Sequence, residues 1–175
     1  MRSNRLTACV VDGQLAGTLR GDGGAPRLAV IRGEATMEWV RETPARWDEA
    51  KAAVLGELSP ELFGLGRPAA GDPLADEWWR VEQDGEVLGY GRLDDTWGDA
   101  EVLLLVTPDR RASGIGSFIL THLEREATAR HVNYIYNVVP QRHPDPESVT
   151  DFLTTRGFEQ TDLGELRKRV PPGPG

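Results

Sequence analysis

Asp84-Gly85 sits between two strand-like runs, Glu77 to Gln83 and Glu86 to Leu93. An Asp-Gly pair suits the two-residue turn whose twist matches that of paired antiparallel strands, so it is the strongest short-range hairpin signal in the chain. A further turn over Asp94 to Asp99 leads into a third run, Glu101 to Val106, ended by Pro108. Three strands in series predict an antiparallel meander around which the remaining elements must be arranged.

Those elements alternate between strand and helix patterns. Met37 to Glu42 reads as a short strand, and Thr43-Pro44 offers an N-cap and a first-turn proline for a helix to about Leu58, with Trp47, Ala50, Val54 and Leu58 inward. Ser59-Pro60-Glu61 starts a shorter helix, and Gly64 to Pro73 is a Gly/Pro-rich connection. Ser113 to Ala129 is the longest helical pattern, placing Ile115, Phe118, Ile119, Leu123 and Ala127 on one face. Asn133 to Val139 reads as a buried strand, and Asp145 before Pro146 caps a helix through Thr155 that Gly157 stops. Phe158 to Gln160 and Leu166 to Val170 predict a last hairpin. The expected fold class is α+β: a mixed, mostly antiparallel central sheet flanked by helices in three layers, over residues 36–170. Residues 1–35 read as a separate β-rich arm with a hairpin turn at Asp12-Gly13, and residues 171–175 as a disordered tail.

Composition narrows what such a domain does. The 175 residues carry a formal charge of −8, which makes nucleic acid a poor partner. The lone Cys9 cannot form an internal disulfide, and three scattered histidines with one cysteine match no zinc module. The longest apolar run, Val102 to Val106, is far short of the roughly 18 residues a membrane span requires. The first residues reach Asp12 before an apolar signal core can form, so a cytoplasmic protein is expected. Charge is also uneven: between Asp76 and Glu101 nine acids face two arginines, a patch that would attract a cationic ligand.

The chemistry-bearing stretch runs from Val102 to Gly116, an apolar strand passing through a turn into a helix. Arg111 to Gly116 places consecutive backbone N–H groups at a helix N-terminus, where the dipole and the unpaired amides favour an anion such as pyrophosphate. Gly114 and Gly116 lack a Cβ, so phosphate oxygens can approach the main chain, and Arg111 can add charge-assisted hydrogen bonds. No Gly-Lys-Ser/Thr follows and a third glycine is absent, so neither a Walker loop nor a dinucleotide fingerprint is matched.

Val106, Pro108, Arg111, Gly114 and Gly116 fill, in register, V-x-P-x-x-R-x-x-G-x-G/A. On that motif, and on the order of strands and helices from residue 37 to about 170, the chain resembles the GNAT acetyltransferase superfamily. The resemblance implies an N-acetyltransferase that uses acetyl-CoA as acyl donor and an amine as acceptor. It implies that the backbones of Leu104, Leu105 and Val106 hold the pantetheine arm in a gap between this strand and the Asn133 to Val139 strand. Arg111, Ala112, Ser113, Gly114, Ile115, Gly116 and Ser117 would cradle the pyrophosphate. In many relatives a carboxylate on this strand takes the acceptor's proton, and Glu101 is the nearest match; it shares a face with residues 103 and 105 unless a bulge shifts the parity. Homodimers are common among such relatives.

Two departures bear on catalysis. Relatives often carry an asparagine and then a tyrosine that protonates the departing thiolate, and here Pro146 and Leu153 stand at those positions. Tyr134, Tyr136 or Asn137 on the neighbouring strand could stand in, Tyr136 as the catalytic acid and Asn137 against the cofactor, and His143 is a loop candidate for substrate contact. The substitution of Leu153 also motivates an alternative, a catalytically inactive acyl-CoA sensor or interaction module. The acidic stretch favours a cationic small-molecule acceptor.

Overall fold

The computed structural model describes residues 36–111 and 113–173. Seven strands form one sheet: β1 (Glu38–Arg41), β2 (Glu77–Gln83), β3 (Glu86–Thr96), β4 (Asp99–Val106), β5 (Tyr134–Asn137), β6 (Glu159–Gln160) and β7 (Leu166–Arg169), in the order β1-β2-β3-β4-β5-β7-β6. β4 and β5 pair in parallel and every other neighbouring pair is antiparallel, as a mixed, mostly antiparallel sheet requires. Three α-helices accompany it: α1 (Glu49–Leu55), α2 (Ile115–Ala129) and α3 (Pro146–Thr154). The predicted arm over residues 1–35, with Cys9 in it, lies outside the described residues, as do Ala112 and residues 174–175.

The meander forms on two tight turns. Asp84 and Gly85 take φ of 52° and 79°, the left-handed pair that the Asp-Gly turn calls for. The next turn is tighter than expected: β3 continues to Thr96, and Trp97-Gly98, at φ 58° and 85°, joins it directly to β4. Glycine accepts that second position without cost, so the ladder extends three residues past the expected end at Leu93.

The sheet separates two apolar layers by strict alternation along β4. Ala100, Val102, Leu104 and Val106 face α2 and α3, joined by Ile119, Leu123, Val149, Phe152 and Leu153. Leu103 and Leu105 face the other way, with Val54 and Leu55 of α1, Phe63, Trp78 and Tyr90. The β3–β4 register runs unbroken from Gly89↔Val106 to Thr96↔Asp99, so the bulge allowed for in β4 is absent from this ladder. The irregularity falls instead between β2 and β3, at Val81/Glu82.

α1 begins later than predicted. Its N-cap is Asp48, whose carboxylate accepts from the backbone N–H of Lys51 at 2.8 Å, and not Thr43. The segment before it is held extended: Trp47 N–H donates to Asp72 O at 2.8 Å and Arg46 bridges to Pro73, so these residues are committed to the loop opposite them. Lys51 is fully buried and ties the helix to the sheet through Glu42 at 2.7 Å and Asp48 at 3.1 Å. The cap at Asp145 forms as expected, accepting from Ser148 N–H at 3.1 Å. No described helix is long and apolar enough to cross a membrane.

α2 lies close to the sheet because β3 carries glycine beneath it. A Cβ at Gly91 would stand 2.6 Å from Trp39 and 3.0 Å from Ile119. Gly91→Ala is therefore expected to destabilise the fold by about 1–3 kcal/mol through overpacking, read from the urea midpoint at unchanged slope.

Candidate functional site

Residues on the α1 face of the sheet converge where β4 begins. Glu101 pairs with Asp94 across β3 and with Tyr136 across β5. Arg92, two residues from Asp94, points the same way and lies 3.6 Å from Glu101 and 3.9 Å from Asp76. Both Arg92 and Glu101 are buried, at 1% and 3% exposure. Arg167 of β7 reaches Asp99 at 2.6 Å and stacks over Tyr134 at 3.9 Å. Carboxylates thus outnumber guanidiniums: Glu101, Asp94, Asp99 and Asp76 against Arg92 and Arg167.

That environment acts on Tyr136. Burial first, and then the negative charges of Glu101, Asp94, Glu165 and Asp99, push its phenol up to about 12. The hydroxyl therefore keeps its proton at neutral pH, available to donate a hydrogen bond.

Beyond Glu101 the sheet opens. The parallel ladder consists of Asp99↔Tyr134, Ala100↔Ile135 and Glu101↔Tyr136, and ends there. β5 leaves β4 for β7, with which Asn137 pairs through Leu166. Backbone groups of Leu103 to Val106 that point away from β3 consequently lack a β5 partner. At the fork, the fully buried Asn137 donates its Nδ2 to Val102 O at 2.8 Å, while its Oδ1 accepts no hydrogen bond from the described residues. A buried amide oxygen left without a donor is costly, and an amide N–H lying along β4 would satisfy it. Pantetheine carries such amides, so the fork fits that arm.

The open edge of β4 leads through Pro108–Arg110 to the N-terminus of α2. Aspartates cap α1 and α3, and each helix has a glutamate in its first turn. α2 differs on both counts: Gly114, at φ 81°, is its N-cap with no side-chain hydrogen bond, and the first turn holds no acid. A Cβ at Gly114 would meet nothing within 4 Å, so the main chain there is open to an approaching group. Backbone N–H groups at such a terminus, in the helix's positive field, suit a phosphate.

The predicted residues fall into distinct sets. Gly114, Arg111 and Ser113 are exposed at the head of α2, whereas Ile115 is buried in the core and offers only its backbone. Leu104 and Val106 likewise give their side chains to the core on one face and Leu105 to the other, leaving their backbones along the edge. Ser117 is engaged: its Oγ accepts from Arg156 at 2.6 Å. His143 is buried, its Nδ1 accepting from Asp145 N–H at 3.0 Å, so it helps to form the loop and is not the solvated side chain a loop position suggests. Leu153 is fully buried beside Val149 and Phe152, so the position where relatives carry tyrosine is core here.

Arg92 and Arg156 escaped the sequence reading. Arg92 meets Glu101 only through the β3–β4 register, which no local motif encodes. Arg156 leaves the end of α3, stacks on Phe152 at 3.6 Å and reaches the first turn of α2.

The Tyr136 phenol binds its proton more tightly in the folded chain than in the unfolded one, where tyrosines ionise near pH 10. Its contribution to stability is thus present below about pH 10 and is lost as pH rises toward 12. An alkaline titration followed on the Tyr136 ring resonances should show a midpoint near 12, moved downward by Glu101→Gln; a midpoint indifferent to that change would contradict the Glu101–Tyr136 pairing.

The profile of the acetyltransferase (GNAT) family matches residues 33–145. Among solved structures, the chain is similar to N-acetylglutamate synthase from Neisseria gonorrhoeae complexed with coenzyme A and N-acetyl-glutamate, at 16% identity and a TM-score of 0.54, over 79% of this chain and 36% of that one. It also matches the PaiA N-acetyltransferase from Thermoplasma acidophilum in complex with coenzyme A, at 22% identity and a TM-score of 0.45, over 53% of this chain and 59% of that one. A third match is the ribosomal-protein-S18-alanine N-acetyltransferase from Escherichia coli, at 18% identity and a TM-score of 0.44, over 56% and 70% of the two chains. The chain thus spans 59% of the Thermoplasma enzyme and about a third of the Neisseria one. No curated protein matches it. With a profile covering well over half its length and a fold to match, the chain belongs to the acetyltransferase (GNAT) family, acyltransferases whose acyl donor is acetyl-CoA.

Proposed function

We propose that the chain is an N-acetyltransferase that moves an acetyl group from acetyl-CoA to a primary amine, by direct attack within a ternary complex. The observation that carries this reading is the open edge of β4, which starts at the Glu101↔Tyr136 rung and ends at the glycine-headed N-terminus of α2. Acetyl-CoA brings an acyl group already activated as a thioester.

The residues of the chain divide the remaining work. Backbone N–H groups of α2 with Arg111 hold the pyrophosphate, and the edge of β4 with Asn137 holds the pantetheine arm. Fixing the donor on a rigid strand supplies the orientation that direct attack needs. N–H groups on that edge polarise the thioester carbonyl as charge develops on its oxygen. Glu101 takes the proton that an ammonium must lose before it becomes a nucleophile. Tyr136 stands in the same rung with its hydroxyl protonated. A thiolate of ordinary basicity, near 8.5, is too weak a base to deprotonate a phenol held near 12, so Tyr136 serves it as a hydrogen-bond donor, and the proton that the attacking nitrogen sheds as the C–S bond breaks and the amide forms goes to the thiolate. The acceptor reading is a cationic amine, supported by the excess of carboxylates over guanidiniums around Glu101.

The buried Leu153 favours a second reading, a module that binds acyl-CoA without turnover. Thiol release from acetyl-CoA against polyamines, amino sugars, aminoglycosides, amino acids and lysine peptides separates the two. Acceptor-dependent release establishes the enzyme, whereas tight coenzyme A binding with no release on any amine establishes the module. Glu101→Gln is expected to lower kcat about 100-fold or more while coenzyme A binding is retained. Arg111→Ala is expected to weaken coenzyme A binding by about 1–3 kcal/mol in calorimetry.

A further inference from the structure

Arg92 is a buried guanidinium that also forms part of the wall of an open cleft of about 290 Å³, beneath the loop from Gly64 to Asp76. A buried cation is tolerated only when anions compensate its lost hydration, and Arg92 has two in reach: Glu101 at 3.6 Å and Asp76 at 3.9 Å. Asp76 lines the same cleft, and it enters this arrangement from a left-handed φ of 70°, rare for a residue with a side chain. Between the cleft and Glu101 therefore stands the guanidinium, bridging a carboxylate on each side.

We infer that Arg92 is the positioning residue for Glu101, holding that carboxylate ionised and in place at the last rung of β4 with β5. This rests on Glu101 as the proton acceptor of the reaction.

The charges around Glu101 show why a cation is needed. Arg92 and Asp94 face it from β3, Tyr136 from β5 and Asp76 from the loop before β2; on its own strand stands Asp99, whose partner Arg167 comes from β7 beside Glu165. Asp99 is already neutralised by Arg167 at 2.6 Å. Without Arg92, the buried Glu101 would lose the guanidinium 3.6 Å away while Asp94 still faces it, and its proton affinity would rise. A protonated carboxyl cannot accept the proton of an ammonium. The charge of Arg92, shared between Glu101 at 3.6 Å and Asp76 at 3.9 Å, thus serves to keep Glu101 ionised.

The test is a pH-resolved double-mutant cycle with Arg92→Gln, Glu101→Gln and the double variant, by urea unfolding between pH 5 and 8, with Arg92→Lys as the conservative change. Arg92→Gln raises the folded-state proton affinity of Glu101, so its loss of stability should be small at pH 5 and grow as pH rises through that raised value. The pH-dependent part of the loss should vanish in the Glu101→Gln background and be mostly restored by Arg92→Lys. With the panel amine that releases most thiol, the acidic limb of kcat/KM should move up by about 1–3 pH units in Arg92→Gln, with KM for acetyl-CoA unchanged. Should Arg92→Gln fail to fold, the double variant and Arg92→Lys carry the comparison. A loss of stability independent of pH and equal in both backgrounds, or an unmoved acidic limb, overturns the inference while leaving Glu101 as the proton acceptor. A Glu101→Gln variant with full activity overturns both.

Discussion

The parting of β4 from β5 after a three-residue parallel ladder is the constraint on which the site depends. A strand in the middle of a sheet normally has both edges taken, and an open edge inside a domain is a liability that must be satisfied or used. Here the fork lies between two apolar layers, so the main chain of Leu103 to Val106 is presented from a rigid, buried strand. Asn137 marks the point of divergence by bonding across it to Val102, and its Oδ1 accepts no hydrogen bond from the described residues.

Everything chemically relevant is arranged about that fork by alternation. Because β4 keeps its parity without a bulge, Glu101 faces the α1 side while its neighbours Ala100 and Val102 fill the core beneath α2. The same alternation on β3 brings Arg92 and Asp94 to Glu101, and on β5 it brings Tyr136. At the far end of β4 the chain turns into a helix left without a side-chain cap or a first-turn acid, although the other two α-helices carry both. Strand edge and helix terminus are consecutive in the chain, so one extended ligand can lie along both.

Charge in the site is a balance of close pairs. Arg167 neutralises Asp99, Arg92 is shared by Glu101 and Asp76, and Tyr136 holds its proton because of its burial first and the surrounding carboxylates second. Burial strengthens each of these effects relative to water, and removing one member would therefore change the protonation of another.

Local chemistry was enough to read much of this from the residues alone. Asp84-Gly85 demanded a hairpin, Asp145-Pro146 a helix start, and the apolar strand running through Pro108 to Gly114 the start of a long helix; each depends on neighbours in sequence, and each stands in the structure. The start of α1 was misplaced because residues 45–47 are claimed by the loop at 71–74, a tertiary contact that overrides the Thr-Pro signal. His143 looked available because loops are usually solvated, and it is buried. Glu101 could be named from its strand, but its partners could not: Arg92, Asp94, Tyr136 and Asp76 are brought to it by register and loop packing, which depend on the whole sheet. The sequence by itself determined the elements and the glycine-headed turn into α2, because those follow from short-range backbone preferences. Only the tertiary structure decided where β4 and β5 part and which charges surround the carboxylate, because those follow from pairing between segments far apart in the chain.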